Sequence, residues 1–388
     1  MFGSKIKLKY EYPHNRFDLP LIGATLFLLS WGTVMIYSTG GIYADLQYND
    51  GQYFLFKHLM HMLVGLALMA IAIFVDYHKW QQLSIWLMLG ILVLLILVLI
   101  PEVGHEVKGG RRWLRMGSFS LQPAELLKVV LIIYVASYLE RKQEVLASFF
   151  RGLTPNFIVT GIYLFLVLLQ PDFGTVILLA LTVLLMLYVG GGRPIHIATS
   201  LFGVLIIGGI LIASHSYRIR RMLAFLNPWD DPQNTGFQII QSFIALGTGG
   251  WIGKGLGESL QKRLFLPDAH TDFIFAIIGE ELGFIWIFVL IILFSVFIWR
   301  GYWIAWNAQD SFGKHLAFGA TTIIALQIIF NLFVVLGLLP TKGLPLPFIS
   351  YGGTSLVVAM FLTGILLNIS SKLNPTEVNE LDGSTKKI

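Results

Sequence analysis

The sequence predicts an all-α polytopic membrane protein of about ten transmembrane helices, with a long external loop between the seventh and the eighth. Three observations lead there. Hydrophobic residues make up 56% of the 388 and charged residues 13%, against about 25% charged in soluble domains. Mean hydropathy is +0.74, and no soluble core hides that much apolar surface. Apolar runs of about 20 residues, enough to span a bilayer as a helix, recur along the chain. Cysteine is absent, which excludes disulfides and thiolate chemistry.

The runs fall at 17–38, 54–75, 80–100, 122–139, 155–170, 173–190, 195–214, 272–299, 316–338 and 352–370. The first follows a polar, basic start. It is too long for a signal-peptide core and lacks a small-residue cleavage site, so it reads as an uncleaved span. Phe157 to Val189 is too long for one span, and Gln170-Pro171-Asp172 divides it. Proline has no amide hydrogen and suits the first turn of a new helix. The expected organisation is one ten-helix domain, 1–372, with the loop 214–271 outside and a polar cytoplasmic tail, 373–388.

Ten spans put both termini on one side. Of the 27 Lys and Arg, fourteen fall on that side, eleven on the other and two within spans. Cytoplasmic loops carry the excess of cations, so the expectation is a multi-pass protein of the cytoplasmic (inner) membrane with both termini cytoplasmic. The external cations concentrate in two loops, 101–121 and 214–271. They read either as solvated charge touching lipid headgroups or as an external site for an anionic substrate. Net charge is +5, and nothing points to nucleic acid.

Loop 214–271 is long for a connection, and loops of that length are usually functional. Phe237 to Leu246 has apolar residues at helical spacing, as in an interfacial or re-entrant helix. Gly247, Gly249, Gly250, Gly253, Gly255 and Gly257 follow, and imply a flexible backbone. The loop ends in "HTDFIFAIIGEELGF", His270 to Phe284, which carries three carboxylates into the eighth span. Asp272 stands at the water–lipid boundary, where it is either an N-terminal cap or an ionisable group in reach of an external substrate. Glu280 lies about 12 Å deeper and about 80° round the helix, and Glu281 about 180° round. That lets Glu280 share a cavity with Asp272 and turns Glu281 to other helices, where structural pairing is expected.

"QPAELLK" places Glu125 and Lys128 three apart on one helix face. The pair is either an internal salt bridge that eases insertion or a cavity lining that orients substrate. Ahead of it, "GGRRWLR" offers Arg111 and Arg112, whose fork of donors suits phosphate oxygens. Trp113 either sits at the interface or stacks on a sugar. "LPTKGLPLPFISYGGTS" supplies Lys342, and Ser350 with Gly352 and Gly353 at a helix start, where exposed amides attract anions. The phosphate-binding Gly-Lys-Ser/Thr signature is missing, and no metal-ligand spacing occurs.

Together "GGRRWLRMGSFSLQPAELLK", "QPDFGT", "NPWDDPQNTGFQIIQSFIALGTGGWIGKGLGESLQKRLFLPDAHTDFIFAIIGEELG" and "PTKGLPLPFISYGG" resemble the SEDS family of peptidoglycan glycosyltransferases. They run in family order across most of the chain, and the division branch is the nearer match. The resemblance implies ten helices, an outward-facing cavity and polymerisation of lipid II. It implies that Asp272 is catalytic, that Glu125 and Lys128 line the cavity and that Arg111 and Arg112 contact substrate, while His270 stands where it can hydrogen-bond Asp272. The implied partners are a class B penicillin-binding protein that supplies the transpeptidase, other division proteins and membrane lipids. No cofactor is implied, although a diphosphate substrate admits a divalent cation. The rival reading is a lipid flippase, whose repeats and midplane broken helices are not evident in the sequence.

Overall fold

The computed structural model describes residues 17–373 except 108, 118, 214–215 and 342. The expectations for Lys342 and for the tail from 374 onward lie outside the described residues. Every expected span is a helix: α1 Leu19–Tyr48, α2 Tyr53–Phe74, α3 Tyr77–Leu97, α4 Pro123–Arg141, α5 Thr154–Leu168, α6 Phe173–Val189, α7 Pro194–Ala213, α10 Ile274–Asn307, α11 Ser311–Val335 and α12 Gly353–Ser370. The long loop adds α8, Ser216–Leu226, and α9, Phe237–Gly249. Among the described residues seven helices are long and apolar enough to cross a membrane, and α6 and α7 are shorter apolar helices. With α4, which carries Glu125, Lys128, Glu140 and Arg141, they make a multi-pass membrane protein.

Three features depart from expectation. Helix α1 runs ten residues past 38. It ends at Asn49, left-handed at φ 53°, whose amide donates to Asp45 O. The extension packs on the start of α2: Tyr48 stacks on Tyr53 at 4.0 Å, and Gly40 lies against Phe54. The basic loop after α3 is a three-stranded antiparallel sheet, β1 Gly104–Val107, β2 Gly110–Met116 and β3 Phe119–Leu121. Gly109 and Gly117, both at positive φ, make its turns. Helix α10 extends to 307 and is broken inside by Gly283, at φ 81° and ψ −177°.

The centre of the bundle is α4, α11 and α12. The apolar windows of α12 and α11 are 83% and 72% buried, against 22% for α3, so α3 sits at the lipid-facing rim. The side that holds the residue-17 end is tied by charge. Arg300 grips Asp18, the N-cap of α1, with Nε 2.9 Å from Oδ2, and lies over the Trp303 ring. Lys372 reaches Asp76 at 2.5 Å between α2 and α3. On the opposite side the sheet, the α5–α6 turn, the long loop and the segment before α12 come together.

Candidate active site

Asp272 is half-buried in a turn that feeds α10. Asp268, left-handed at φ 58°, turns its carbonyl to accept from the amides of Thr271, Asp272 and Phe273 at 3.1, 3.1 and 3.3 Å. The N-cap position of α10 is held by Phe273, whose side chain makes no capping bond, and Asp272 stands one residue before it. Two elements hold the turn. Asn331 of α11 donates through Nδ2 to Asp272 O at 2.8 Å and to Leu344 O at 2.9 Å. Tyr351 N donates to His270 O at 2.9 Å. A methyl on Gly343 would come within 3.5 Å of Asp272 Oδ2, so the segment before α12 passes beside the carboxylate. His270 stacks among Phe54, Tyr43 and Tyr351 at 4.7, 5.4 and 5.9 Å between centroids.

A cavity of about 320 Å³ lies on the α1 side of this turn, lined by Thr39, Tyr43, Lys262 and the residues 266–270. Its size falls at the lower end for small-ligand sites, about 300–1,000 Å³. Tyr43 and His270 offer ring faces, while Thr39 and Asp268 offer hydrogen-bonding groups.

Glu280, expected to share a cavity with Asp272, is instead fully enclosed by the long loop. Oε1 accepts from Lys254 Nζ at 2.7 Å and Leu260 N at 3.2 Å. Oε2 accepts from Ser259 Oγ at 2.5 Å and Gln261 N at 3.2 Å. The physical reason is desolvation: a buried carboxylate needs a cation and hydrogen bonds. Glu281 is paired, as its position suggested, with Lys262 Nζ at 2.7 Å and Ser38 Oγ at 2.7 and 2.9 Å. Two cations of the long loop are thus held by carboxylates of the chain itself.

Two of the glycines at and after the end of α9, Gly249 and Gly253, serve close approach, where the expectation was a flexible backbone. A methyl on Gly249 would meet Gly279 O at 1.9 Å, and one on Gly253 would meet Glu281 O at 2.1 Å. The backbone itself locks there, with Lys254 N donating to Glu280 O at 3.0 Å and Gly255 N to Glu281 O at 2.9 Å.

Glu125 and Lys128 are enclosed rather than lining a cavity, at 3% and 1% exposure. Lys128 Nζ donates to Glu125 Oε1 and to Gln327 Oε1, both at 2.7 Å. Gln327 continues to Pro345 O at 2.8 Å and Ser355 Oγ at 3.1 Å. The pair therefore fastens α4 to α11, α12 and the segment beside Asp272. Arg112, expected at a phosphate, donates to the carbonyls of Gln170 and Pro171 at 2.9 and 2.7 Å. Those carbonyls follow the end of α5, where no helical amide meets them. Arg111 is half-exposed on β2, 3.5 Å from Glu106, and Trp113 is half-buried opposite His105. Ser350 is buried and accepts from Leu346 N at 2.8 Å, closing a turn. Among the described residues no three His, Asp or Glu side chains gather as a metal-holding group.

Sequence reading missed Asn331 as the clip on the Asp272 turn. It missed Ser38 and Ser259 altogether, which bear no motif. A polar residue within an apolar run was the available signal for Asn331 and Ser38.

The comparisons bear on the whole of this architecture. Residues 19–374 match the family model FtsW/RodA/SpoVE, described as cell cycle protein. The chain is similar to a probable peptidoglycan glycosyltransferase FtsW of Geobacter metallireducens, 45% identical over 362 residues, covering 93% of this chain and 96% of the relative. It is 42% identical to stage V sporulation protein E of Bacillus subtilis over 355 residues, 91% of this chain and 96% of the relative. A solved chain from a peptidoglycan synthase complex, studied for the coordination of polymerization and crosslinking, superposes with a TM-score of 0.76 at 28% identity, covering 91% of this chain and 97% of the other. Rod shape determining protein RodA of Thermus thermophilus gives 0.68 at 24% identity, over 91% and 96%, which shows a shared fold. The chain belongs to the FtsW/RodA/SpoVE family of cell cycle proteins.

Proposed function

We propose that the chain is a peptidoglycan glycosyltransferase that polymerises lipid II into glycan strands for septal wall synthesis, on the external face of the cytoplasmic membrane. In this reading residues 1–372 are one domain, both termini and the tail 373–388 are cytoplasmic, and the Asp272 turn faces outward. The observation that carries it is the Asp272 turn itself: a half-buried carboxylate at the mouth of a membrane helix, beside the segment that leads into α12, in a chain 45% identical over most of its length to a relative named for this activity.

The chemistry fits the residues. The acceptor is a sugar hydroxyl with a pKa far above neutrality. A positioned carboxylate acting as general base contributes about 10²–10⁴-fold. Asp272 takes the hydroxyl proton as the oxygen attacks the anomeric carbon of the donor. The bond to the polyprenyl diphosphate breaks with inversion. Diphosphate leaves readily, so the second carboxylic acid of glycoside hydrolysis is not needed. Cations stabilise its developing charge. Arg111 on the sheet is the described candidate, and Lys342, next in sequence to Gly343, is the other. The cavity beside the turn offers ring faces to a sugar. A class B penicillin-binding protein is the proposed partner, in line with the synthase complex to which this chain is similar. Purified protein incubated with labelled lipid II, with and without that partner, should produce glycan polymer. Translocation of lipid II without polymer would instead favour a flippase.

A further inference from the structure

We propose that Glu281 and Glu280 are positioning residues: paired with Lys262 and Lys254, they fix the segment 259–272 against a break in α10, and so set the place of Asp272 and of one cavity wall. The activity arm rests on the polymerase reading above. The structural arm does not.

The break is built. Gly283 takes a conformation that only glycine adopts readily, and it interrupts the helical ladder inside a membrane span. Backbone groups freed there must be met within the protein. The long loop meets them from both sides. Lys254 N and Gly255 N donate to the carbonyls of Glu280 and Glu281, while Phe284 N and Ile285 N donate to Gly250 O and Trp251 O at 2.9 and 3.2 Å. One edge of the loop is thereby part of α10.

The two carboxylates then hold the returning strand of the loop. The amides of Ser259, Leu260 and Gln261 all point at them, a nest of the kind that binds anions. Lys262 completes it, bridging Glu281 and Ser38 at 2.7 and 3.0 Å. That bridge ties α1 and the loop, the two elements that line the cavity, to α10, and Lys262 itself lines the cavity. From Lys262 the chain closes a tight turn, with Leu266 N donating to Gln261 O at 2.9 Å, and reaches Asp268, whose carbonyl gathers the Asp272 turn. Buried ion pairs are poor sources of net stability beside apolar packing. What this pair supplies is a single register for the loop, held by charge.

The test uses the full chain, reconstituted, as Glu281→Gln, Lys262→Met, Lys262→Arg and Ser38→Ala. Hydrogen exchange is followed by segment, and kcat and KM are measured for lipid II. In Glu281→Gln and Lys262→Met, exchange in 259–273 should accelerate about tenfold or more, as expected from losing a charged hydrogen bond, while α11 and α12 stay as in the wild type. The kcat should fall about 10²-fold, the effect of a misplaced catalytic group, with KM within about threefold. Lys262→Arg keeps the pair and should restore both. Unchanged exchange in 259–273, or equal acceleration across α11 and α12, overturns the proposal. So does loss of kcat that Lys262→Arg fails to restore. If Glu281→Gln does not fold, Ser38→Ala decides, because it removes one hydroxyl from the same bridge and should accelerate 259–273 alone. A wild type that makes no polymer would sink the polymerase reading and leave the exchange comparison standing.

Discussion

Asn331 and Asp272, one within α11 and the other just before α10, are joined by a side-chain amide that also holds Leu344. One residue thus sets the spacing between the turn bearing the carboxylate and the segment that passes beside it. Asn331→Leu leaves two carbonyls without that donor. An unsatisfied buried polar group costs about 1–3 kcal/mol. The variant should melt earlier in detergent and lose polymerisation more steeply than stability. Full activity with a lowered melting temperature would confine Asn331 to a packing role.

The glycines of the α10 break should not tolerate a methyl group. Gly249→Ala drives Cβ into Gly279 O, and overpacking of this kind costs about 1–3 kcal/mol. Gly283→Ala adds strain of about the same size from its backbone conformation. Both variants should open the 250–262 segment to protease before the bundle melts. Equal protease resistance in variant and wild type would show that the break accommodates a side chain.

These two sites mark what was legible in the sequence. The ten apolar runs were, as helices, because hydropathy at bilayer length is a local signal, and Pro171 lies between α5 and α6, just ahead of the N-cap Asp172. The α10 break was not. Its glycines read as loose backbone, since the carbonyls they approach lie near residue 280. Lys254 and Lys262 fell among loop cations read either as solvated charge or as a substrate site, because their carboxylates stand 26 and 19 residues away. The carbonyl partners of Arg112 were hidden for the same reason, standing 58 and 59 residues on. The family resemblance pointed to Asp272, but its relation to Asn331 and Gly343 needs the packed bundle.

Lys128→Met should be among the most damaging single changes. It strips the cation from Glu125 in a site with almost no solvent, and breaking a buried pair costs about 3–5 kcal/mol. The double variant Glu125→Gln with Lys128→Met removes both charges and should recover much of the loss. Unfolding temperatures of the wild type and the two variants test this. A double variant as unstable as Lys128→Met would show that the pair is not what the site requires.

Between α2 and α3, partial burial pushes the Asp76 carboxyl up. Lys372, the His78 amide and the His78 ring outweigh that and hold it below its ordinary 3.8. A depressed carboxylate contributes stability that is present above its unfolded value and is lost as pH falls through its folded one. The junction should therefore hold its form at pH 5 to 8 and loosen only below about pH 4, the ordinary carboxylate range. Accessibility of a cysteine placed at Ser371, read against pH, checks this. Loosening between pH 5 and 7 would contradict the assignment to Asp76.

The most direct measurement is polymer formation from labelled lipid II by purified Asp272→Asn beside the wild type, with melting temperature recorded on the same samples. A general base at Asp272 requires that the variant fold as the wild type does and make no glycan polymer. Polymer at the wild-type rate from the folded variant would contradict it.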